Sequence, residues 1–189
     1  MGTTELSMNW LTNIDNALFR LINSSGDINL DPIMILLSNK YLLIPLYLYI
    51  LFVLFKQYKK QFFWILLSLI ALIFLADFGS VHFFKNIFQR LRPCHQLDDI
   101  RIVLECGGLY GFISSHAANM FSIAFFIGLI NRDLKLFIFL FSLASIIGFS
   151  RIYLGVHFPL DIVGGMLWAI MVSLLTFKLL SLKINETIQ

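Results

Sequence analysis

Five stretches of this chain approach the ~20 mostly apolar residues that a helix needs to cross a bilayer core. They cover about 41–55 (extended backwards through 33–37), 62–84, 117–130, 134–149 and 160–180. In lipid no water is present to satisfy backbone N–H and C=O groups, so apolar runs of this length are read as helices. The expected fold is therefore all-α, a polytopic transmembrane helix bundle. Of the 189 residues, 59% are hydrophobic and 13% charged. A water-soluble domain carries roughly 45–50% apolar and 25% charged residues, and the surplus here must face lipid. No Pro/Gly/Ser linker, repeat or low-complexity tract divides the chain. One domain is expected over 1–189, with a transmembrane core over 30–182.

The third and fourth stretches are short, so their ends should lie in protein or water, and Asn131-Arg132-Asp133 reads as a tight turn between them. Residues 10–22 behave differently. Trp10, Leu11, Ile14, Leu18, Leu21 and Ile22 recur at helical spacing, with Asn13, Asp15, Asn16 and Arg20 between them. That pattern suits an amphipathic helix lying in the membrane interface, within a segment 1–29. A helix packed on the end of the bundle fits the pattern equally well, and both readings can hold. The N-terminus lacks the basic region and small-residue cleavage site of a signal peptide, so the first span is expected to serve as the uncleaved insertion signal.

Lys and Arg divide seven to seven between the two sides that five spans imply. The short turns carrying Lys56, Lys59, Lys60, Arg132 and Lys135 hold almost no acid, which is the cytoplasmic pattern. Three polar islands, 85–93, 113–116 and 150–161, then share the outer side. The net charge of +3 is modest and gives no reason to expect a nucleic acid. Nothing in the pattern calls for an obligate protein partner, and the bilayer itself is the expected surrounding.

Ionisable groups at the edge of lipid are expensive to keep and point to function. Lys85 and Arg92, seven apart, would share one face if the helix continued through both. They offer a point charge and a planar fork for phosphate oxygens. Ser114, Ser115 and His116 open the third span, where hydroxyls and free backbone N–H groups make an anion site. His157 stands just before a helix that Pro159 is placed to start, and Asp161 lies within reach of one ring nitrogen. Taken singly, each island is an ordinary snorkelling flank or helix cap. Collected on one side, they hold what is needed to grip a phosphate and displace it with a histidine.

These residues resemble those of the type 2 phosphatidic acid phosphatases, membrane relatives of vanadium haloperoxidases and bacterial acid phosphatases. Lys85, Arg92 and Pro93 match that family's Lys-x6-Arg-Pro motif. Ser114 and His116 match Pro-Ser-Gly-His, with Ile113 for Pro and Ser115 for Gly. Ser150, Arg151, His157 and Asp161 match Ser-Arg-x5-His-x3-Asp. The resemblance covers about 62–180. Family members commonly have six spans; five or six are expected here, the sixth being N-terminal.

The resemblance implies a metal-independent, two-step hydrolysis without a cofactor. His157 attacks phosphorus, with Asp161 orienting it. His116 protonates the departing lipid oxygen and later deprotonates the attacking water. Lys85, Arg92, Arg151, Ser114 and nearby N–H groups hold the phosphoryl oxygens, with Ser115 donating as well. Asp98, Asp99 and Glu105 show no ligand-like spacing, so no metal site is expected. The expected substrate is a lipid phosphate at headgroup depth. With only about 20 residues between the first two motifs, undecaprenyl diphosphate is favoured. A lipid A phosphate is the alternative, then phosphatidylglycerol phosphate and phosphatidic acid. An anion transporter is a different possibility, but it would want its charges mid-span and repeated in two halves. The setting expected is a bacterial inner membrane with the site facing the periplasm, an oxidising space in which Cys94 and Cys106 can pair, two free thiols in an ordinary loop being the alternative.

Overall fold

The computed structural model describes residues 2–188, and side chains outside 2–9, 42 and 185–188. Among the described residues the architecture is helical, with no strand and one isolated antiparallel bridge, Leu91 to Tyr110. We number the helices α1 (Gly2–Ser24), α2 (Asp31–Ser38), α3 (Ile44–Gln57), α4 (Phe62–Gly79, continuing to Phe88), α5 (Pro93–Gln96), α6 (Ser115–Asn131), α7 (Leu134–Tyr153) and α8 (Pro159–Ile188).

Among the described residues, three helical segments are long and apolar enough to cross a membrane: Phe62–Phe88, Leu134–Tyr153 and Pro159–Ile184, with mean hydropathies of 2.3, 1.9 and 1.9. The helices of the first and third expected spans, Ile44–Gln57 and Ser115–Asn131, are apolar but shorter. The shortness of α6 has a packing reason. It runs through the middle of the bundle against α4, α7 and α8, and its Ala117, Ala118, Phe121, Ala124, Phe126 and Ile127 are all buried. A helix apolar on every side is stable where protein surrounds it. Lipid is left to the outward faces, where Phe52, Phe63, Leu67, Ile70, Phe74, Phe139, Leu167 and Leu175 are exposed. The molecule is an integral membrane helix bundle.

The first expected span is not one helix. Asn39 takes an extended conformation (φ −82°, ψ 111°), and its side chain accepts the Tyr41 N–H at 2.9 Å. A 3₁₀ turn over Lys40–Leu43 follows, and Pro45, which has no N–H to give, opens α3. The break leaves α2 packed on α7 and turns buried Ser38 toward Arg151, which donates to its hydroxyl.

The second span also departs from expectation. α4 widens to a π-helical turn over Ser80–Lys85, a form often found at functional sites, and the helix ends after Phe88 because Gln89 is left-handed (φ 47°). Pro93 then starts α5 rather than ending α4. Lys85 and Arg92 therefore do not share a helix face. They are brought together by the chain reversal that the Leu91–Tyr110 bridge pins.

α1 is longer than its periodic stretch, and its faces are sorted unlike those of a soluble helix. Trp10, Leu11, Ile14, Leu18 and Leu21 are exposed, while Asp15, Phe19 and Asn23 are buried against the bundle. The apolar face suits the membrane interface and the polar stripe faces protein, so both expected roles meet in one helix.

Candidate active site

The reversal between α7 and α8 sets the centre of the site. α7 ends at Tyr153, and Gly155 takes φ +84°, a conformation rare for residues with a side chain. A Cβ there would lie 2.4 Å from the Arg101 carbonyl oxygen. The N–H groups of Gly155 and Val156 donate back to Ile152 and Arg151, and the chain returns carrying His157 into the interior. Pro159 then opens α8, as its position predicts.

His157 is about 1% exposed, and its Nδ1 lies 3.0 Å from Oδ2 of Asp161. The same oxygen accepts the Phe158 N–H at 3.0 Å. Asp161 is thus fixed on two sides, and it holds the imidazole by Nδ1 and leaves Nε2 for a reacting atom. Burial pushes His157 well below an ordinary histidine, and the charges of Arg92, Arg151, Lys85 and Arg90 push the same way. A neutral imidazole with one nitrogen oriented by a carboxylate is suited to attack on phosphorus.

The cations arrive from three segments. Arg151 comes from the last turn of α7 and is held by Ser38. Lys85 comes from the π-helical turn and donates to the Ser115 hydroxyl at 2.8 Å, which also shares a 2.6 Å hydrogen bond with Ser80. Arg92 follows the reversal, its Nε donating to the Tyr110 carbonyl at 3.3 Å. Burial lowers the pKa of Arg92, and Asp161 counters that.

Ser114 caps α6. Its Oγ accepts the Ala117 N–H at 3.5 Å, and its own N–H donates to the Asp161 carbonyl at 3.0 Å. That second bond ties the second motif to the third. By position, the Ser115 and His116 N–H groups that open α6 have no intrahelical partner and are available to an anion. Ser115, expected among the phosphate donors, is engaged with Lys85 and Ser80 and so fixes where the ammonium stands. His116 lines a cavity of about 720 Å³ that also touches Ser38, Lys40, Asp77 and Asn119.

The expected site residues are thus brought together: hydrogen bonds join Lys85 to Ser115, Ser114 to Asp161 and His157 to Asp161, and His157 lies within range of the charges of Lys85, Arg92 and Arg151. Two further groups were not legible as site residues. Arg90, an unspecified position inside the first motif, donates to Oδ1 of Asp161 at 3.2 Å and to Asp15 of α1 at 2.5 Å. For Asp15 the usable signal was its four-residue spacing to Phe19 and then Asn23, a stripe along one face of α1.

Cys94 and Cys106 form a disulfide with a Cα–Cα distance of 6.3 Å. Among the described residues, Cys94, His95 and Cys106 are also the group with metal-like donors in reach of one another, and the disulfide occupies both sulfurs. The bridge closes a loop of about a dozen residues, restricting the unfolded chain by roughly 3 kcal/mol in the entropy model. A membrane-impermeant maleimide should label intact cells only after reduction. Labelling of untreated cells would show two free thiols.

The PAP2 superfamily model matches residues 61–184, about two thirds of the chain and all three motifs. The chain belongs to the PAP2 superfamily. It is 32% identical over 176 residues to a lipid A 4′-phosphatase of Porphyromonas gingivalis, covering 90% of this chain and 75% of that protein. It is 27% identical over 165 residues to an undecaprenyl-diphosphatase of Sulfolobus acidocaldarius, covering 86% and 76%. The crystal structure of Aquifex aeolicus LpxE superposes with a TM-score of 0.67 at 30% identity, over 86% of this chain and 93% of that one. This PAP2 protein is a membrane lipid phosphatase.

Proposed function

We propose that this PAP2 phosphatase removes the 4′-phosphate of a lipid A-type glycolipid through a phosphohistidine on His157. The observation that carries the chemistry is the Nδ1 contact with Asp161, which leaves Nε2 free beside Lys85, Arg92 and Arg151. Nε2 attacks phosphorus and the bond from phosphorus to the lipid oxygen breaks, with His116 giving that oxygen a proton. His116 then takes a proton from water, the water oxygen attacks phosphorus, and the P–N bond breaks to release inorganic phosphate. The three cations and the N–H groups opening α6 hold the equatorial oxygens, where positioning and charge carry most of the catalysis.

Substrate class follows from what stands on the leaving-group side. The cavity lined by His116 has an apolar wall that includes the exposed Ile70, Ile73 and Phe74, and it also carries Lys40, Asp77, His82 and Asn119. Asn119 Oδ1 is buried without a hydrogen-bond partner. A carboxylate and an unfilled amide acceptor match the hydroxyl and amide donors of an acylated amino sugar. Undecaprenyl diphosphate would instead put a second phosphate anion in this cavity, where Lys40 attracts it and Asp77 opposes it, and it offers no donor to Asn119. The similarity to the P. gingivalis enzyme supports the same choice, so the glycolipid displaces the substrate that loop length alone favoured. The disulfide loop and the acid-poor basic turns support an inner-membrane setting with the site facing the periplasm. The bilayer and its lipid phosphate are the partners this reading requires.

The deciding experiment offers purified protein lipid A, undecaprenyl diphosphate, phosphatidylglycerol phosphate and phosphatidic acid, each with and without EDTA. Release from lipid A is expected to exceed the others at least tenfold, to be indifferent to EDTA and to be inhibited by vanadate. Mass spectrometry locates the lost phosphate. Faster release from undecaprenyl diphosphate would overturn the glycolipid reading, and strict Mg²⁺ dependence would overturn the mechanism.

A further inference from the structure

The phosphatase reading uses Asp161 to orient His157, but it leaves open what orients Asp161. Its Oδ2 serves His157 and the Phe158 N–H, while Oδ1 receives Nη1 of Arg90 at 3.2 Å. Arg90 in turn is anchored from outside the catalytic motifs. Its Nη2 bonds Oδ2 of Asp15 at 2.5 Å, and its guanidinium lies over the Phe158 ring, 4.2 Å from the centroid. The second oxygen of Asp15 accepts the Leu160 N–H at 2.8 Å, one of the free donors at the start of α8. One turn along α1, Phe19 packs edge-on against Phe158 with ring centroids 5.3 Å apart. The segment from His157 to Asp161 is therefore clamped from α1 by a carboxylate, a guanidinium and an aromatic pair.

We propose that Arg90 and Asp15 are positioning residues for the histidine nucleophile, making the interfacial helix α1 a working part of the active site. Arg90 fixes the second oxygen of Asp161, so the carboxylate cannot rotate away from Nδ1. Asp15 fixes Arg90 and the first turn of α8 together. The pair does its work through Asp161 and touches neither phosphate nor lipid. Asp15 is about 1% exposed, so leaving it without Arg90 would strand a buried carboxylate; burial raises its pKa, while Arg90 and the Leu160 N–H lower it. The two residues should consequently behave as one unit.

This inference rests on the phosphatase reading, and the test separates the two. Wild type, Arg90→Gln, Arg90→Lys, Asp15→Asn and the Asp15→Asn/Arg90→Gln double variant are compared on the best substrate of the lipid panel, with inorganic phosphate as competitive inhibitor. Arg90→Gln should lower kcat 10- to 100-fold, with KM and phosphate inhibition within about twofold of wild type. Arg90→Lys should recover part of the loss, since an ammonium restores the charge without the fork. It also serves if Arg90→Gln fails to fold. The double variant should be no slower than Arg90→Gln alone. Unchanged kcat in Arg90→Gln, multiplicative losses in the double variant, or a loss confined to KM would each overturn the proposal while the phosphatase stands. An inactive wild type would overturn the phosphatase reading and this inference with it.

Discussion

His157→Ala should lower turnover on the preferred lipid by at least ~10⁴-fold, the scale expected when a covalent nucleophile is deleted. The variant should still extract and purify as a folded membrane protein. Asp161 retains the Phe158 N–H at 3.0 Å and Arg90 at 3.2 Å after the imidazole is gone, so its charge is not left alone in the interior. Lys85, Arg92 and Arg151 also remain to bind the phosphate. The loss should thus fall on kcat, with affinity for inorganic phosphate little changed. Acid- and base-quenched samples give an independent readout. A phosphoprotein that survives alkali and decays in acid should form in wild type during turnover and be absent from His157→Ala. Activity above a few per cent of wild type in this variant would remove His157 as the nucleophile.

The catalytic motifs were legible because their residue types are costly in lipid and their spacings are fixed by the chemistry. His157 to Asp161 is a local four-residue relation, and Pro159 between them announces the helix that sets it. Ser114 was legible for the same reason, as a cap at the start of an apolar run. What could not be read was anything that depends on how segments distant in sequence meet. Lys85 and Arg92 looked like neighbours on a helix face, but the left-handed Gln89 and the Leu91–Tyr110 bridge put the arginine on a returning strand of loop. Ser38 gave no sign of its bond to Arg151, 113 positions away, because that contact exists only when Asn39 breaks the first span. Asp15 stands in the sequence only as one polar residue of an amphipathic helix. Periodicity locates a polar face without saying whether water or a guanidinium lies opposite it.

The position of Ser115 shows how a departure from a motif can be absorbed. The family has glycine there, which exposes backbone to phosphate. Here the added hydroxyl accepts from Lys85 and meets Ser80, a residue the π-helical turn of α4 brings to the same place. The extra side chain is directed at Lys85, the cation proposed to bind phosphate, so the site gains a fixed ammonium in exchange for some bare backbone.

His116→Ala is expected to separate the two chemical steps, because the histidine serves each differently. On the proposed mechanism it first gives a proton to the departing lipid oxygen, a poor leaving group as an alkoxide. In the second it removes a proton from water. General acid–base catalysis of this kind is worth about 10²–10⁴-fold, so lipid turnover should fall by roughly 10³. An aryl phosphate needs no proton on its departing oxygen, so with such a substrate the first step should largely recover. The second should not, since the water still lacks its base. The variant should therefore release about one equivalent of phenol in a burst and then stall as phosphohistidine, at an occupancy well above the steady-state level in wild type. Imidazole added to the medium should restore slow release, provided it can enter the cavity that His116 lines. A variant that loses both the burst and the steady state on aryl phosphate would place His116 in phosphate binding and take away its role in proton transfer.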